Sequence, residues 1–432
     1  MEDFGKTEAI LANMVGSAVG QVPGLGAFVI KNGQKVFSFC GGNAYLDSKN
    51  PSNNRPFTDN SLFRIASVSK QYTVYAIMQL VEQNKLKLDD EAGQYLGFEL
   101  IHPKFPGDKI TIRMLADHTS GLRDGIIYCI PPEYSLKEFF QPDGRFYEAG
   151  GHFSPANEPV GQYFCYCNLN YGLLGTVIEA VTNQRFDKYM AEHVLKPLGI
   201  DGGYLPANLT PKEFSRLGTL YQKQDEQGNW NDNMPWRGVM DCYTNQQPPH
   251  DTVTMQNPYA LKDDSAQYTI ENYRIGSNAT FFAPQGGLRM SLNGLENTLL
   301  MLMGKGKLNN KVFLSEKSFN EITNRQWWYH NNNGDTGDGT LLSYGLGLYQ
   351  IDGESSSRVC RDKCIDLVGH TGQAFGLYAG LFFVPGTRNG FGYIINGIGM
   401  SEEDNRSAGR FSGNFVWEET IMNALCAGLY YK

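Results

Sequence analysis

Phe63-Arg64-Ile65-Ala66-Ser67-Val68-Ser69-Lys70 leads without a glycine or proline into Gln71-Tyr72-Thr73-Val74-Tyr75-Ala76-Ile77-Met78-Gln79-Leu80-Val81. From Val68 to Val81 the residues are mostly apolar or aromatic, so the stretch reads as a helix buried on nearly every side. Asn84, followed by Lys85-Leu86-Lys87-Leu88, suits its C-terminal cap. Ser67 and Lys70, three residues apart, then share one face of the first turn. An amine stripped of its proton by burial and neighbouring charge can take the proton of a hydroxyl beside it. The unpaired N–H groups of a helix start favour the negative charge that develops on an attacked carbonyl oxygen. Ser-x-x-Lys occurs once in the chain. A tetrapeptide arises by chance in many proteins, so the rest of the sequence has to decide what it means.

The chain has 432 residues, an apolar fraction of 41% and aromatics at 12%, enough for a large core. It shows no linker rich in proline, serine or charge, which argues for one domain. The net charge of −8 is spread along the sequence and gives no reason to expect nucleic acid or an anionic membrane as partner. No apolar run approaches the roughly 20 residues of a membrane-spanning helix. Met1-Glu2-Asp3-Phe4 lacks the basic-then-apolar order of a secretory signal. The expectation is therefore a cytoplasmic protein if Met1 is the natural start, and a periplasmic or secreted one if a leader has been removed. Among the eight cysteines, Cys165/Cys167 and Cys360/Cys364 lack zinc-site spacing, and buried thiols are favoured over disulfides. The seven histidines give no H-x-H or H-E-x-x-H, which disfavours a metallohydrolase. No metal and no cofactor is expected. Asn208, Asn278 and Asn405 head glycosylation patterns that matter only in a secreted eukaryotic protein.

Apolar positions at helical spacing place an amphipathic helix over 6–19, and Asn32-Gly33 between two β-prone runs predicts a hairpin. A short helix ending in a glycine turn is expected over 109–122, and further helices over 168–181 and 295–303. Residues 222–282 are polar, carry Trp230, Trp236, Tyr243, Tyr259, Tyr268 and Tyr273, and show little periodicity. They read equally as a lid or binding loop and as a surface insertion with short elements. Apolar runs split by glycine turns at 344–351, 365–368, 375–384 and 391–396 read as strands, with a closing helix over 411–427. The predicted fold is α+β: an antiparallel sheet built from both chain ends, flanked by terminal helices, with a mainly helical lobe inserted. The lobes divide as 1–85 with 280–432, and 86–279, within one domain over 1–432.

A serine hydrolase needs a proton shuttle and an oxyanion site. Tyr166-Cys167-Asn168 lies just before the 169–181 helix, where a phenol could pass a proton and an amide could anchor substrate or amine. Tyr243-Thr244-Asn245 and Tyr329-His330-Asn331 have the same pattern but do not lead into such a helix. Gly369-His370-Thr371-Gly372-Gln373 lies between two strand runs, and its glycines let backbone approach a ligand.

With these pieces in order, the sequence resembles the serine β-lactamase and penicillin-binding protein superfamily. The likeness is to the branch that holds class C β-lactamases, D,D-carboxypeptidases, D-aminopeptidases and esterases. It covers almost the whole chain. Phe63 to Lys70 matches the first motif with its flanks, and Ile110 to Leu122, ending His118-Thr119-Ser120-Gly121-Leu122, matches a stretch typical of the branch. Gly161-Gln162-Tyr163-Phe164-Cys165-Tyr166-Cys167-Asn168 matches the approach to the second, with Cys167 where serine is usual. Lys196-Pro197-Leu198-Gly199-Ile200 and Gly286-Gly287-Leu288 also fit. The resemblance implies a β-lactamase/transpeptidase-like fold in which Ser67 is acylated and Lys70 and Tyr166 share the acid–base work. Asn168, His370, Thr371 and Gly372 would hold the substrate, and the N–H groups of Ser67 and Gln373 would form the oxyanion hole. Which of Lys70 and Tyr166 is the base is disputed within the superfamily.

The informative departure is His370, where β-lactamases of this branch usually carry lysine. A largely neutral imidazole attracts a substrate carboxylate less strongly at pH 7. The expected function is therefore hydrolysis of a small-molecule ester or D-amino-acid peptide or amide through an acyl-serine intermediate. A β-lactamase is the alternative, and a non-catalytic binding or scaffold protein on the same fold is the second.

Overall fold

The computed structural model describes residues 4–225, 227–243, 246–256, 265–401 and 411–430. The chain opens with α1 (Gly5–Asn13) and passes into the hairpin of β1 (Gly24–Lys31) and β2 (Gln34–Tyr45). Asn32 and Gly33 turn that hairpin with φ of 54° and 77°, the left-handed angles an Asn-Gly turn supplies without strain. The opening helix is shorter than the apolar spacing over 6–19 suggests. Its register is lost at Met14, and Val15 and Val22 instead form a β-bridge around Gly16 and Gly20.

Two short strands follow, β3 (Arg55–Pro56) and β4 (Phe63–Arg64), and then a 3₁₀ turn over Ala66–Ser69 opens α2 (Lys70–Glu82). Every residue of α2 from Lys70 to Met78 is buried, as its all-round apolar composition requires. Asn84 ends it in the left-handed region at φ 55°. α3 (Ile112–Ala116) is capped by the Thr111 side chain, and α4 (Leu169–Thr182) packs on both α2 and α3.

Between residues 220 and 270 lie β5 (Leu220–Gln222), β6 (Arg237–Met240) and the hairpin of β7 (Thr252–Gln256) and β8 (Ser265–Thr269). Among its described residues, the segment that lacked periodicity carries very short strands. Tyr259 and the Thr244-Asn245 half of one Tyr-x-Asn pattern lie outside the described residues. β9 (Arg289–Met290) pairs with β4, and α5 (Leu292–Met303) follows.

The C-terminal strands are β10 (Trp327–Trp328), β11 (Ser343–Tyr344), β12 (Tyr349–Ile351), β13 (Leu367–Ala374), β14 (Leu377–Phe383) and β15 (Gly390–Ile395), and α6 (Val416–Gly428) follows them. The run 344–351 is two strands and not one, because Gly345–Leu348 form a turn with Gly347 at φ 70°. His370-Thr371-Gly372 lies inside β13, where the sequence reading placed it between two runs. The turn is at Phe375-Gly376, with φ of 55° and 85°.

The nine-stranded sheet runs β10-β11-β12-β13-β14-β15-β1-β2-β3 with every pair antiparallel, so β1, from the N-terminal end, sits against β15, from the other. Leu25, Ala27 and Val29 face one side of β1 and pack with Leu11 of α1 and Ile421 and Leu425 of α6. Phe28 and Ile30 face the other and join the core that holds α2, α4 and α5. This strict alternation buries the central strands on both faces. It is the α+β sandwich of helices and antiparallel sheet that the sequence predicts.

All eight cysteines are free thiols; Cys167, Cys360 and Cys426 are buried, whereas Cys40, Cys242 and Cys364 are exposed. Asn278 is fully buried with its amide on the carbonyls of Ile130 and Pro131, so its glycosylation pattern is inaccessible in the fold. Asn405 lies outside the described residues. Among the described residues no helix is long and apolar enough to cross a membrane, and no cluster of three or more His, Cys, Asp or Glu side chains could hold a metal ion.

Candidate active site

Ser67 lies on the 3₁₀ turn between β4 and α2. The preceding residue, Ala66, takes φ 45°, a left-handed angle that costs an L-residue about 1–2 kcal/mol. That sharp turn brings Ser67 into the wall of a cleft of about 1270 Å³. Helix geometry sets Lys70 one turn along. Its amine is 3.1 Å from Ser67 Oγ, 2.8 Å from Asn168 Oδ1 and 3.2 Å from the Gln285 carbonyl oxygen. Lys70 is fully buried, and burial pushes its amine down to about 7 against the opposing field of Asp124. In its neutral form the amine has two hydrogens for Asn168 and Gln285 and one lone pair, which then faces the Ser67 hydroxyl. That is the geometry of a general base.

Tyr166 closes the same group. Its phenol shares a hydrogen bond with Ser67, and the Lys70 amine lies 4.5 Å from its ring centroid. Burial raises the phenol above its ordinary value, with the Ser67 hydrogen bond opposing, so it is an O–H donor at neutral pH. His118 fixes this tyrosine from three directions. Its carbonyl accepts from Cys165 N–H at 3.0 Å, its Nδ1 accepts from Cys167 N–H at 3.1 Å, and its ring lies 4.4 Å from the Tyr166 ring. The His-Thr-Ser-Gly-Leu stretch and the Tyr-x-Asn stretch therefore form one structural unit. Neither Tyr329-His330-Asn331 nor Tyr243 takes part in it.

Asn168 lines the cleft with its amide already bonded to the amine. Its Oδ1 accepts from Lys70, and its Nδ2 donates at 2.8 Å to Asp124, which also accepts from Leu169 N–H at 2.9 Å. Asp124 thereby orients the amide and caps the start of α4. Sequence reading passed over it; the available signal was its place two residues beyond the His-Thr-Ser-Gly-Leu stretch.

β13 supplies the opposite wall. β12 pairs with it only at Leu367–Gly369, so from His370 onward that side of the strand is left for Ser67, although the strand itself lies inside the sheet. A Cβ on Gly372 would stand 2.2 Å from the Ile65 carbonyl oxygen and 3.1 Å from Ser67 N, so only glycine permits this approach. Gln373 follows, lining the cleft with Ser67. Thr371 accepts from Tyr349 Oη at 3.1 Å. His370 is only 3% exposed, with Nε2 2.9 Å from Tyr344 Oη and Nδ1 on the Thr371 carbonyl. Burial, with the nearby Lys70 charge, lowers it to about 3, so it stays neutral through the physiological range. Ser67, Lys70, Tyr166, Asn168, His370, Thr371, Gly372 and Gln373 are thus gathered around one end of the cleft. Residues 237–243 and 252–255 form much of its remaining wall.

Residues 11–411 match the Beta-lactamase family. The chain belongs to that family. A beta-lactamase from Pseudomonas fluorescens is 34% identical over 179 residues, covering 41% of this chain and 45% of its own length. Protein flp from Staphylococcus aureus (strain MW2) is 30% identical over 181 residues, 41% of this chain and 34% of its own. These matches span less than half the length of either curated relative. Among solved structures, the octameric penicillin-binding protein homologue from Pyrococcus abyssi aligns with a TM-score of 0.62 and 21% identity, over 99% of this chain and 78% of that one. The D-amino acid amidase from Ochrobactrum anthropi SV3 complexed with L-phenylalanine amide aligns with a TM-score of 0.63 and 19% identity, over 99% and 98%. At these identities the structural likeness is one of fold. Within this beta-lactamase family member, His370 is neutral and covered by Tyr344.

Proposed function

We propose that this protein is a serine hydrolase that cleaves ester or D-amino-acid amide and peptide bonds through an acyl-Ser67 intermediate. The observation that carries the reading is the Lys70 amine, buried, lowered to about 7 and shared between Ser67 Oγ and Asn168. Neutral Lys70 takes the Ser67 proton as Oγ attacks the substrate carbonyl. The N–H groups of Ser67 and Gln373 receive the developing oxyanion. Tyr166 gives its phenolic proton to the departing alcohol or amine and recovers one from the Lys70 ammonium, which restores both groups. Water then attacks the acyl-enzyme with the same residues accepting and returning its proton, and Ser67 is released.

One feature favours esters and amides over β-lactams. The imidazole of His370 brings no positive charge to the end of β13, because burial holds it neutral. A D-amino acid amidase shares this fold, which accommodates amide substrates without excluding β-lactams. The test is purified protein with a 4-nitrophenyl ester, D-alanyl and D-phenylalanyl amides and a chromogenic cephalosporin, beside Ser67→Ala. Turnover of the ester or amide that disappears in Ser67→Ala is the expected result. A cephalosporin hydrolysed far faster than any ester would reverse the order of substrates.

A further inference from the structure

Of the arginines that line the cleft, Arg289 is spent on the wall itself. It makes a two-pronged pair with Asp241 at 3.0 and 2.8 Å and donates to the carbonyls of Tyr204 and Gly287 at 2.8 Å each. Arg64 is different. It stands three residues before Ser67 on β4, partly open to the cleft. Its Nε donates to the Gly286 carbonyl at 2.7 Å, and its guanidinium lies 5.1 Å from the Phe375 ring centroid. No other hydrogen bond or ion pair of Arg64 is formed among the described residues, so the two terminal nitrogens remain available as a fork.

Asp241 is neutralised by Arg289, and the cleft's other carboxylate, Glu418, is buried beneath the Tyr393 hydroxyl at 3.2 Å. Burial lowers the Arg64 guanidinium to about 10, which still leaves it charged at neutral pH. The position of the fork along β13 says which half of the substrate it would meet. Tyr166, the proton donor to the leaving group, lies at the His370 end, with ring centroids 6.1 Å apart. Arg64 lies over Phe375, beyond Gln373 at the other end of the strand. The oxyanion position separates them. The carbonyls of Gln285 and Gly286, which hold Lys70 and Arg64 respectively, keep the fork in register with the nucleophile.

We propose that Arg64 is a specificity residue that binds a carboxylate on the acyl half of the substrate, so that the preferred substrates are acidic acyl esters or amides. The inference rests on the acyl-serine reading above. A planar guanidinium with both terminal nitrogens free matches a carboxylate with two parallel hydrogen bonds. The loss of a hydrogen bond to a charged group corresponds to about 10- to 100-fold in kcat/KM.

The experiment compares 4-nitrophenyl hydrogen glutarate with 4-nitrophenyl hexanoate, an uncharged ester of the same acyl length, on wild type, Arg64→Gln, Arg64→Lys and Arg237→Gln. Labelling of Ser67 by a neutral fluorophosphonate is read on the same samples. The expected result is a wild-type preference for the glutarate ester that falls about 10- to 100-fold in Arg64→Gln, is partly restored in Arg64→Lys, and survives in Arg237→Gln. Should Arg64→Gln not fold, inhibition of wild-type hexanoate hydrolysis by monomethyl glutarate, stronger than by dimethyl glutarate, is the second readout. Labelled protein with no preference for the acidic ester, or a preference removed by Arg237→Gln and not by Arg64→Gln, overturns the assignment to Arg64. Wild type that is not labelled at all overturns the acyl-serine reading instead.

Discussion

The Lys70 amine provides the most direct measurement of the proposed chemistry. Free lysine titrates near ~10.4, so at pH 7 only about 4 in 10⁴ molecules carry the neutral amine. With its amine lowered to about 7, roughly half do, a gain of about 10³ in competent base. The neutral fraction is then about 10% at pH 6 and about 90% at pH 8, so acylation should rise roughly ninefold between them. The groups that face Lys70 cannot supply that limb. His370 is held near 3, His118 well below its ordinary value by burial, and Tyr166 and Tyr171 above theirs. The assay is the rate of Ser67 labelling by a neutral fluorophosphonate from pH 5.5 to 9, with kcat/KM for an uncharged ester alongside. Lys70→Met should lower both by about 10²–10⁴ and flatten the limb. A limb that persists in Lys70→Met, or one centred near 10 in the wild type, would refute the assignment of Lys70 as base.

Asp124→Asn removes the charge that holds the Lys70 value up, so the acid limb should move below 7 while overall acylation falls; an unmoved limb would show that Asp124 does not act on the amine. Gly372→Ala places a methyl group 2.2 Å from the Ile65 carbonyl and should push β13 from Ser67, lowering acylation about 10²–10³-fold, the worth of an oxyanion donor, with a near-native circular dichroism spectrum. Tyr166→Phe should lower turnover of amides about 10²–10⁴-fold and cost less for 4-nitrophenyl esters, whose leaving group needs no proton; equal losses would remove the phenol from leaving-group protonation. Arg289→Met leaves Asp241 as a buried unpaired charge and should reduce stability to urea by about 3–5 kcal/mol, read as a shift in midpoint.

Periodic burial is what made most of the fold legible. α2 could be read because its apolar residues leave no face for water, and the β1–β2 hairpin because Asn32-Gly33 fits one turn geometry well. The limits of α1 and the break at Gly345–Leu348 could not, since both depend on which residues meet across the sheet and not on local preference. The same distinction separates the site residues. Ser67 and Lys70 are set side by side by a single turn, which their spacing announces locally. The place of His370 inside β13 rather than between runs was obscured by two glycines, which read locally as a break and serve here as clearance beside Ile65 and Ser67.

The residues that sequence reading missed owe their importance to long-range returns of the chain. Asp124 is one carboxylate among 45 acidic residues until the start of α4 brings Asn168 to it. Tyr344 lies 26 positions before His370, and no pattern announces that its hydroxyl will cover the imidazole. That covering changes what the departure from lysine means. An exposed histidine would merely weaken the attraction for a carboxylate at that end of β13. One buried under Tyr344 and held neutral by burial withdraws cationic recognition from the leaving-group side altogether. If Arg64 acts as proposed above, the guanidinium at the opposite end of the strand would carry the recognition charge, and the site's polarity relative to the scissile bond would be reversed. His370→Lys should therefore not give an anion-binding enzyme. It would set a second cation beside Lys70 and depress the Lys70 amine further, moving the acid limb below 7.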